Sequence, residues 1–199
     1  RSYALLSDGI RIKPYPCGGL THQAIDSILE FRAKHGLTPE MVESVDVYVA
    51  KHTFERIVFK VPQTGIQGKF CMPYLVARAL IDGKVSLHAF TEAAVREPKV
   101  LQLAERVQMH LGKDLKASDP GGRSCRVTLR TKDGQTYIRE AQHAKGSPDF
   151  PLTEAELRGK FSECAREALS AEAADRALAQ IEGLEKIENV RALTEILRG

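Results

Sequence analysis

Every strand-like run in this chain lies before Gly146-Ser147-Pro148, and none lies after it. A sequence divided in this way needs a layered α+β part followed by a helical part. In the first part the firmest short-range feature is Lys132-Asp133-Gly134, set between the runs Ser124 to Thr131 and Gln135 to Gln142. Asp-Gly between two such runs predicts a β-hairpin. Upstream, Val45, Val47 and Val49 alternate with Ser44, Asp46 and Tyr48, the period of a half-buried strand. Three strands among helices predict a small antiparallel sheet with helices packed on one face.

The helices follow from spacing and caps. Ala24, Ile25, Ile28, Leu29 and Phe31 recur at helical period between Thr21 and His35, and Gly36 stands at the C-terminal cap. Phe70 to Ile81 is rich in helix formers, carries Pro73 in its first turn and stops at Asp82-Gly83. Phe90 to Arg96 reads as a short helix. Pro98 opens another, whose apolar positions Val100, Leu103, Ala104, Val107 and Leu111 carry it to Gly112. Lys51 to Val61 fits no single period, Pro62-Gln63-Thr64-Gly65 reads as a turn, and Asp119-Pro120-Gly121-Gly122 as a loop.

The predicted division is an α+β domain over residues 1–148 and an all-helical segment over 149–199. In that segment Leu157 to Leu169, Ala171 to Ile181 and Ile187 to Leu197 each carry an apolar stripe, with no strand of their own to cover. They require a partner surface. A chain without one is expected to expose an apolar patch and to dimerise or aggregate.

Composition narrows the function classes. With 199 residues, 43% hydrophobic and 28% charged, the chain is not disordered. Its 29 basic and 26 acidic residues are spread throughout, so it lacks the clustered footprint of a nucleic-acid binder. No apolar run approaches the roughly 20 residues that span a bilayer, and no signal-peptide h-region opens the chain. Cys17, Cys71, Cys125 and Cys164 are far apart and show no zinc spacing; they read as reduced thiols in a cytoplasmic protein. His35, His52, His88, His110 and His143 show no ligand spacing either, so no metal is expected. The chain begins at Arg1 as though in mid-protein and reads as a fragment, although a processed mature protein begins the same way.

One segment carries chemistry. Lys13-Pro14-Tyr15-Pro16-Cys17-Gly18-Gly19-Leu20-Thr21-His22 sets a lysine and a proline-bracketed aromatic before a helix start. Prolines hold Lys13 and Tyr15 on an extended rail. The glycines allow close backbone approach or positive φ, and Thr21 can cap a helix whose N-terminus favours an anion. The same residue types also build an ordinary Pro/Gly connector.

Together with Gly68-Lys69-Phe70-Cys71-Met72-Pro73-Tyr74, leading into Ala77-Arg78-Ala79-Leu80-Ile81-Asp82-Gly83, this segment resembles the carboxy-terminal half of the MmgE/PrpD family. That family includes 2-methylcitrate dehydratase, cis-aconitate decarboxylase and iminodisuccinate epimerase. The resemblance covers the whole chain. It implies the lid domain of a cytoplasmic, homodimeric, cofactor-independent lyase or isomerase acting on small di- or tricarboxylic acids, with its site between this domain and an amino-terminal helical domain. It places the family lysine on Lys13 and the family tyrosine on Tyr74, both at the substrate, and a further motif histidine on His22. The resemblance would put a second histidine of cis-aconitate decarboxylase on Gly18, so that role is absent here or supplied elsewhere. The family's other catalytic residues belong to the helical domain, so the isolated chain is expected to be inactive.

In these roles Lys13 binds a carboxylate or moves a proton, and Tyr74 donates its hydroxyl. His22, in the first turn of its helix, is favoured as a neutral ring and has Asp26 one turn later to orient it. Each has a plain alternative: a solvated lysine, a packing tyrosine, a surface His–Asp pair. Cys17 and Cys71 read as small buried residues. Arg123, Arg126, Arg130 and Arg139 are expected on the solvent face of the hairpin. The competing reading is a non-catalytic binding domain that docks a separate partner.

Overall fold

The structure, a computed structural model, describes residues 9–115 and 124–198. It divides into two compact units, Arg1–Pro151 and Leu152–Gly199. The expected loop at Asp119 to Gly122 and the position of Arg123 lie outside the described residues.

The first unit is built on a sheet of β1 (Val42–Val49), β2 (Val107–Leu111), β3 (Cys125–Thr131) and β4 (Thr136–Ala141), in the order β2-β1-β3-β4. The hairpin forms as its Asp-Gly turn requires: β3 and β4 pair antiparallel, with Gly134 at φ 86°. β1 runs antiparallel to β3 and parallel to β2. The sheet is therefore mixed, with four strands where an antiparallel three were expected.

The difference arises at Val107 to Leu111. The helix that begins at Pro98, α5 below, ends at Ala104 rather than reaching Gly112. Val107 and Leu111 satisfy a helical spacing, but Val107, Met109 and Leu111 also alternate with Gln108 and His110. Tertiary context decides between the two periods. As a strand, this segment pairs the open backbone edge of β1, with Val45 opposite Val107 and Val47 opposite Met109.

Helices cover one face. After α1 (His22–His35) come β1, the short α2 (Lys51–Phe54) and α3 (Gly65–Gly68), then α4 (Met72–Asp82) and α5 (Pro98–Ala104). The expected helix over Phe90 to Arg96 is instead two 3-10 turns, Leu87–Phe90 and Ala94–Arg96. Ile25, Ile28 and Phe31 of α1 and Leu75, Val76 and Leu80 of α4 meet Val45, Val47, Val127 and Leu129 of the sheet in one buried core. Burial of such side chains stabilises by about 1.5–3 kcal/mol each. The α1 helix ends as its sequence requires, with Gly36 left-handed at φ 63°.

Arg139 departs from the expected solvent face. It lies opposite Val127 in register, on the helix-covered side, and reaches Ser27 Oγ at 3.0 Å and Glu30 at 2.8 Å. Arg126 and Arg130 do lie on the other face. There Arg130 and His110 both bind Asp46, at 2.6 and 2.7 Å, and Arg126 lies over the Tyr48 ring.

The second unit contains α6 (Glu154–Ala165), α7 (Ala171–Glu182) and α8 (Arg191–Ile196). Thr153 and Glu156 form a reciprocal capping box at the start of α6, and Ser170 caps α7. Leu157, Phe161, Cys164, Leu178 and Ile181 line an apolar groove on this unit. No helix among the described residues is long and apolar enough to cross a membrane.

Candidate active site

One end of the sheet gathers the chemistry. In register, Val49 of β1 lies opposite Cys125 of β3, and Cys125 opposite Ala141 of β4. The chain leaves β1 there into α2, which carries His52, and leaves β4 there into Ala144-Lys145-Gly146-Ser147. The rail before α1 runs beside the latter segment: Ile12 N donates to Gly146 O at 2.8 Å. Gly146 has φ 82°, and a Cβ on it would lie 1.8 Å from Ile12 O, so only glycine admits this approach.

Between these segments is a cavity of about 300 Å³, lined by Arg11, Lys13, His22, His52, Lys145 and Ser147, with Ile12, Gly19, Leu20, Ala144 and Gly146 between them. Its size falls at the lower end of small-molecule sites. Among the described residues three cationic side chains and two imidazoles line it, and no carboxylate does. Lys13 is exposed and forms no hydrogen bond or ion pair with another described residue. Ser147 is 3% exposed, and its hydroxyl lacks a hydrogen-bond partner among the described residues. The chemistry of this lining suits an anion that accepts several hydrogen bonds.

The surroundings fix its geometry. His22, the first residue of α1, is buried with Tyr15 edge-on to its ring at 5.2 Å. Asp26 is also buried, so the two do not form the surface pair that was one expectation. Its carboxylate oxygens accept from the Tyr15 hydroxyl at 2.6 Å and from Lys145 N at 2.9 Å. Burial pushes Asp26 above the usual carboxylate range, against the opposing pull of the Lys145 N–H, the Tyr15 hydroxyl and the Arg139 charge. Thr21 does not cap α1 through its side chain; its hydroxyl donates back to Gly18 O at 2.7 Å. Gly18 has φ −62°, so its role is close approach, with its N–H on Lys69 O. Burial pushes the thiols of Cys17 and Cys71 up to about 11, which keeps both protonated at neutral pH.

Tyr74 stands apart from Lys13 and His22. It is 0% exposed, donates its hydroxyl to Ala89 O and accepts from Arg78 Nε at 2.9 Å. Arg78 continues this network to Ala94 O at 2.6 Å and Glu97 at 2.8 Å. The structure thus brings Lys13 and His22 to one cavity, which Tyr74 does not line.

Arg11, His52, Lys145 and Ser147 were missed in the sequence. Arg11 stands two residues before Lys13, the spacing at which an extended rail repeats a face, and that alone could have marked it. Ser147 was read as part of the Gly146-Ser147-Pro148 boundary, and Lys145 beside it had no reading. Their contribution depends on the pairing of two segments distant in sequence.

The MmgE/PrpD C-terminal domain matches residues 15–186. The chain belongs to the MmgE/PrpD family. Its relatives include cis-aconitate decarboxylases from Mus musculus, 26% identical over 96% of this chain and 40% of the relative, and Homo sapiens, 24% identical over 100% and 42%. A third, from Aspergillus terreus, is 21% identical over 94% of this chain and 40% of its own length. The chain therefore spans about two fifths of the length of these relatives. A Cβ on Gly18 would lie 2.9 Å from the Phe70 ring, so any larger residue there requires Phe70 to shift. His22 and His52 are the imidazoles this MmgE/PrpD domain presents to the cavity.

Proposed function

We propose that this chain supplies one wall of the active site of a lyase acting on small di- or tricarboxylic acids, and that the cavity at the end of the sheet holds the substrate's carboxylates. The observation that carries this reading is the lining: Arg11, Lys13 and Lys145 around a hydroxyl and two imidazoles, with no carboxylate among the described residues. Cations and hydroxyls so arranged bind carboxylates through charge-assisted hydrogen bonds, each worth about 1.5–3 kcal/mol.

The same groups serve elimination. Removing a proton from carbon beside a carboxylate pushes charge onto that carboxylate, and fixed cations stabilise this charge as it develops. Departure of hydroxide then gives a dehydration, as in 2-methylcitrate dehydratase. In a decarboxylation no proton is first removed: carbon dioxide departs, its bonding electrons stay on carbon, and a proton is added there, as the name of the cis-aconitate decarboxylase relatives implies. Proton return to the original carbon from the opposite face gives epimerisation. His22 is the candidate to carry the proton in each case. The remaining wall and the groove on the helical unit are assigned to an amino-terminal helical domain, and the assembled protein to a homodimer.

Titration of the chain with citrate, followed by amide chemical shifts, tests the reading. Binding is expected to move Lys13, Gly19, Lys145 and Ser147, to weaken from citrate to acetate, and to fall about tenfold or more in Lys13→Ala, which corresponds to about 1.4 kcal/mol. Absence of shifts at these amides, or equal affinity for acetate, would overturn it. Joined to a family helical domain, the chain is expected to turn over cis-aconitate or 2-methylcitrate. Citrate binding without any turnover in that form favours the non-catalytic reading.

A further inference from the structure

The cavity has two walls from distant parts of the chain, and one buried side chain touches both. Asp26 projects from the first turn after His22 and is 8% exposed. Its Oδ1 takes the Tyr15 hydroxyl, two residues beyond Lys13, and its Oδ2 takes the backbone N–H of Lys145, two residues before Ser147. Tyr15 in turn sets its ring edge-on to His22 at 5.2 Å. Arg11 and Lys13 lie on the first wall, Lys145 and Ser147 on the second, and His22 belongs to the helix that carries Asp26.

We propose that Asp26 is a positioning residue, which clamps the Lys13 rail and the Lys145–Ser147 segment to α1 and so sets the spacing of the groups that bind the polycarboxylate. This inference rests on the assignment of the cavity to a polycarboxylate. It reaches beyond it because Asp26 does not line the cavity and acts through Tyr15 and the Lys145 amide.

Electrostatics makes the claim decidable by sign. A buried negative charge near Arg11, Lys13 and Lys145 opposes an incoming anion. If Asp26 were only a nearby charge, neutralising it would tighten anion binding. If it is the clamp, neutralising it loosens binding despite the gain in net positive charge. Asp26→Asn keeps the volume but weakens both arms: with its oxygen toward Tyr15 it sets an N–H₂ against the Lys145 N–H, and turned over it replaces two hydrogen bonds to a carboxylate by two neutral ones. Tyr15→Phe releases the other arm and leaves every charge at neutral pH in place.

The experiment measures citrate affinity per folded molecule for the native chain, Asp26→Asn and Tyr15→Phe, together with amide hydrogen exchange at residues 144–147 without ligand. The expected result is a tenfold or greater loss of affinity in Asp26→Asn, a loss of the same sign in Tyr15→Phe, and faster exchange at Lys145 in Asp26→Asn. Unchanged or tighter binding in Asp26→Asn overturns the proposal, as does a lowered melting temperature with native affinity. If Asp26→Asn does not fold, native affinity in folded Tyr15→Phe overturns it equally. Failure of the native chain to bind citrate instead removes the cavity assignment, and this proposal with it. Native binding with native affinity in the variants removes only the clamp.

Discussion

The two motifs that mark this sequence end in opposite states. Around Tyr74 the buried polar groups close on one another: its hydroxyl joins Ala89 O and Arg78, and Arg78 goes on to Ala94 O, Asp82 and Glu97. At the cavity two groups stay open: the exposed Lys13 ammonium and the buried Ser147 hydroxyl have no hydrogen-bonded partner among the described residues. A satisfied network holds a fold together, whereas an open one keeps its donors for something else. Both arise from proline-bearing approaches to a helix, so motif chemistry alone does not separate them. Their partners do.

The largest expected effect breaks the closed network. The Arg78 side chain is 6% exposed, and Arg78→Ala strands Ala94 O and removes the counter-charge of Asp82 and Glu97. Loss of one partner from a buried pair costs about 3–5 kcal/mol. The lower end applies, because those carboxylates keep 33% and 32% exposure and turn to water. Urea unfolding should show a loss near 3 kcal/mol, while the folded fraction binds citrate normally. A loss below 1 kcal/mol would show that the network does not support the fold.

A second pair of variants sharpens the contrast. Tyr74→Phe leaves Ala89 O and the Arg78 Nε–H without their partner in a fully buried place, at about 1–3 kcal/mol. Lys13→Ala removes an exposed side chain and should change stability by no more than about 0.5 kcal/mol. Their effects on citrate binding should run in reverse. If Tyr74→Phe weakens citrate as much as Lys13→Ala does, with stability unchanged, Tyr74 belongs at the ligand after all.

Much of the fold was legible because local chemistry and tertiary packing agree there. The Asp133-Gly134 hairpin, the Val45-Val47-Val49 strand, the Gly36 and Gly83 stops and the helical tail all follow from short-range rules. Val107 to Leu111 was not legible, since its apolar residues fit two periods and only the open edge of β1 chooses between them. For the site, Lys13 and His22 could be found because they share one segment. Arg11 could have been found from its place on that rail, but Lys145 and Ser147 could not, because their place depends on Ile12 pairing with Gly146 across more than a hundred residues. Tyr74 shows the converse. Its motif is easily read, yet the groups that engage its hydroxyl lie on a later turn and one helical turn along its own helix.

The smallest effect concerns pH, and it separates two aspartates on opposite faces of the sheet region. Burial raises Asp26, and its hydrogen bonds only partly offset this. Asp46 also feels burial, but the Arg130 and His110 hydrogen bonds outweigh it and hold the carboxyl below its ordinary value of 3.8. The two therefore contribute with opposite sign. Where the folded pKa is raised, the folded state binds the proton more tightly than the unfolded chain, so stability from Asp26 falls as pH rises from 3.8 through its elevated value. Where it is lowered, the stabilisation is complete above 3.8 and is lost as pH falls through the depressed value, which is the course for Asp46. Urea midpoints across this range should show Asp46→Asn flattening the acid side of the profile below 3.8, and Asp26→Asn removing a decline above it. If the Asp46→Asn profile ran parallel to the native one on the acid side, the Asp46–Arg130–His110 cluster would contribute nothing to the fold in solution, and the open sheet face would be held by the strand pairing alone.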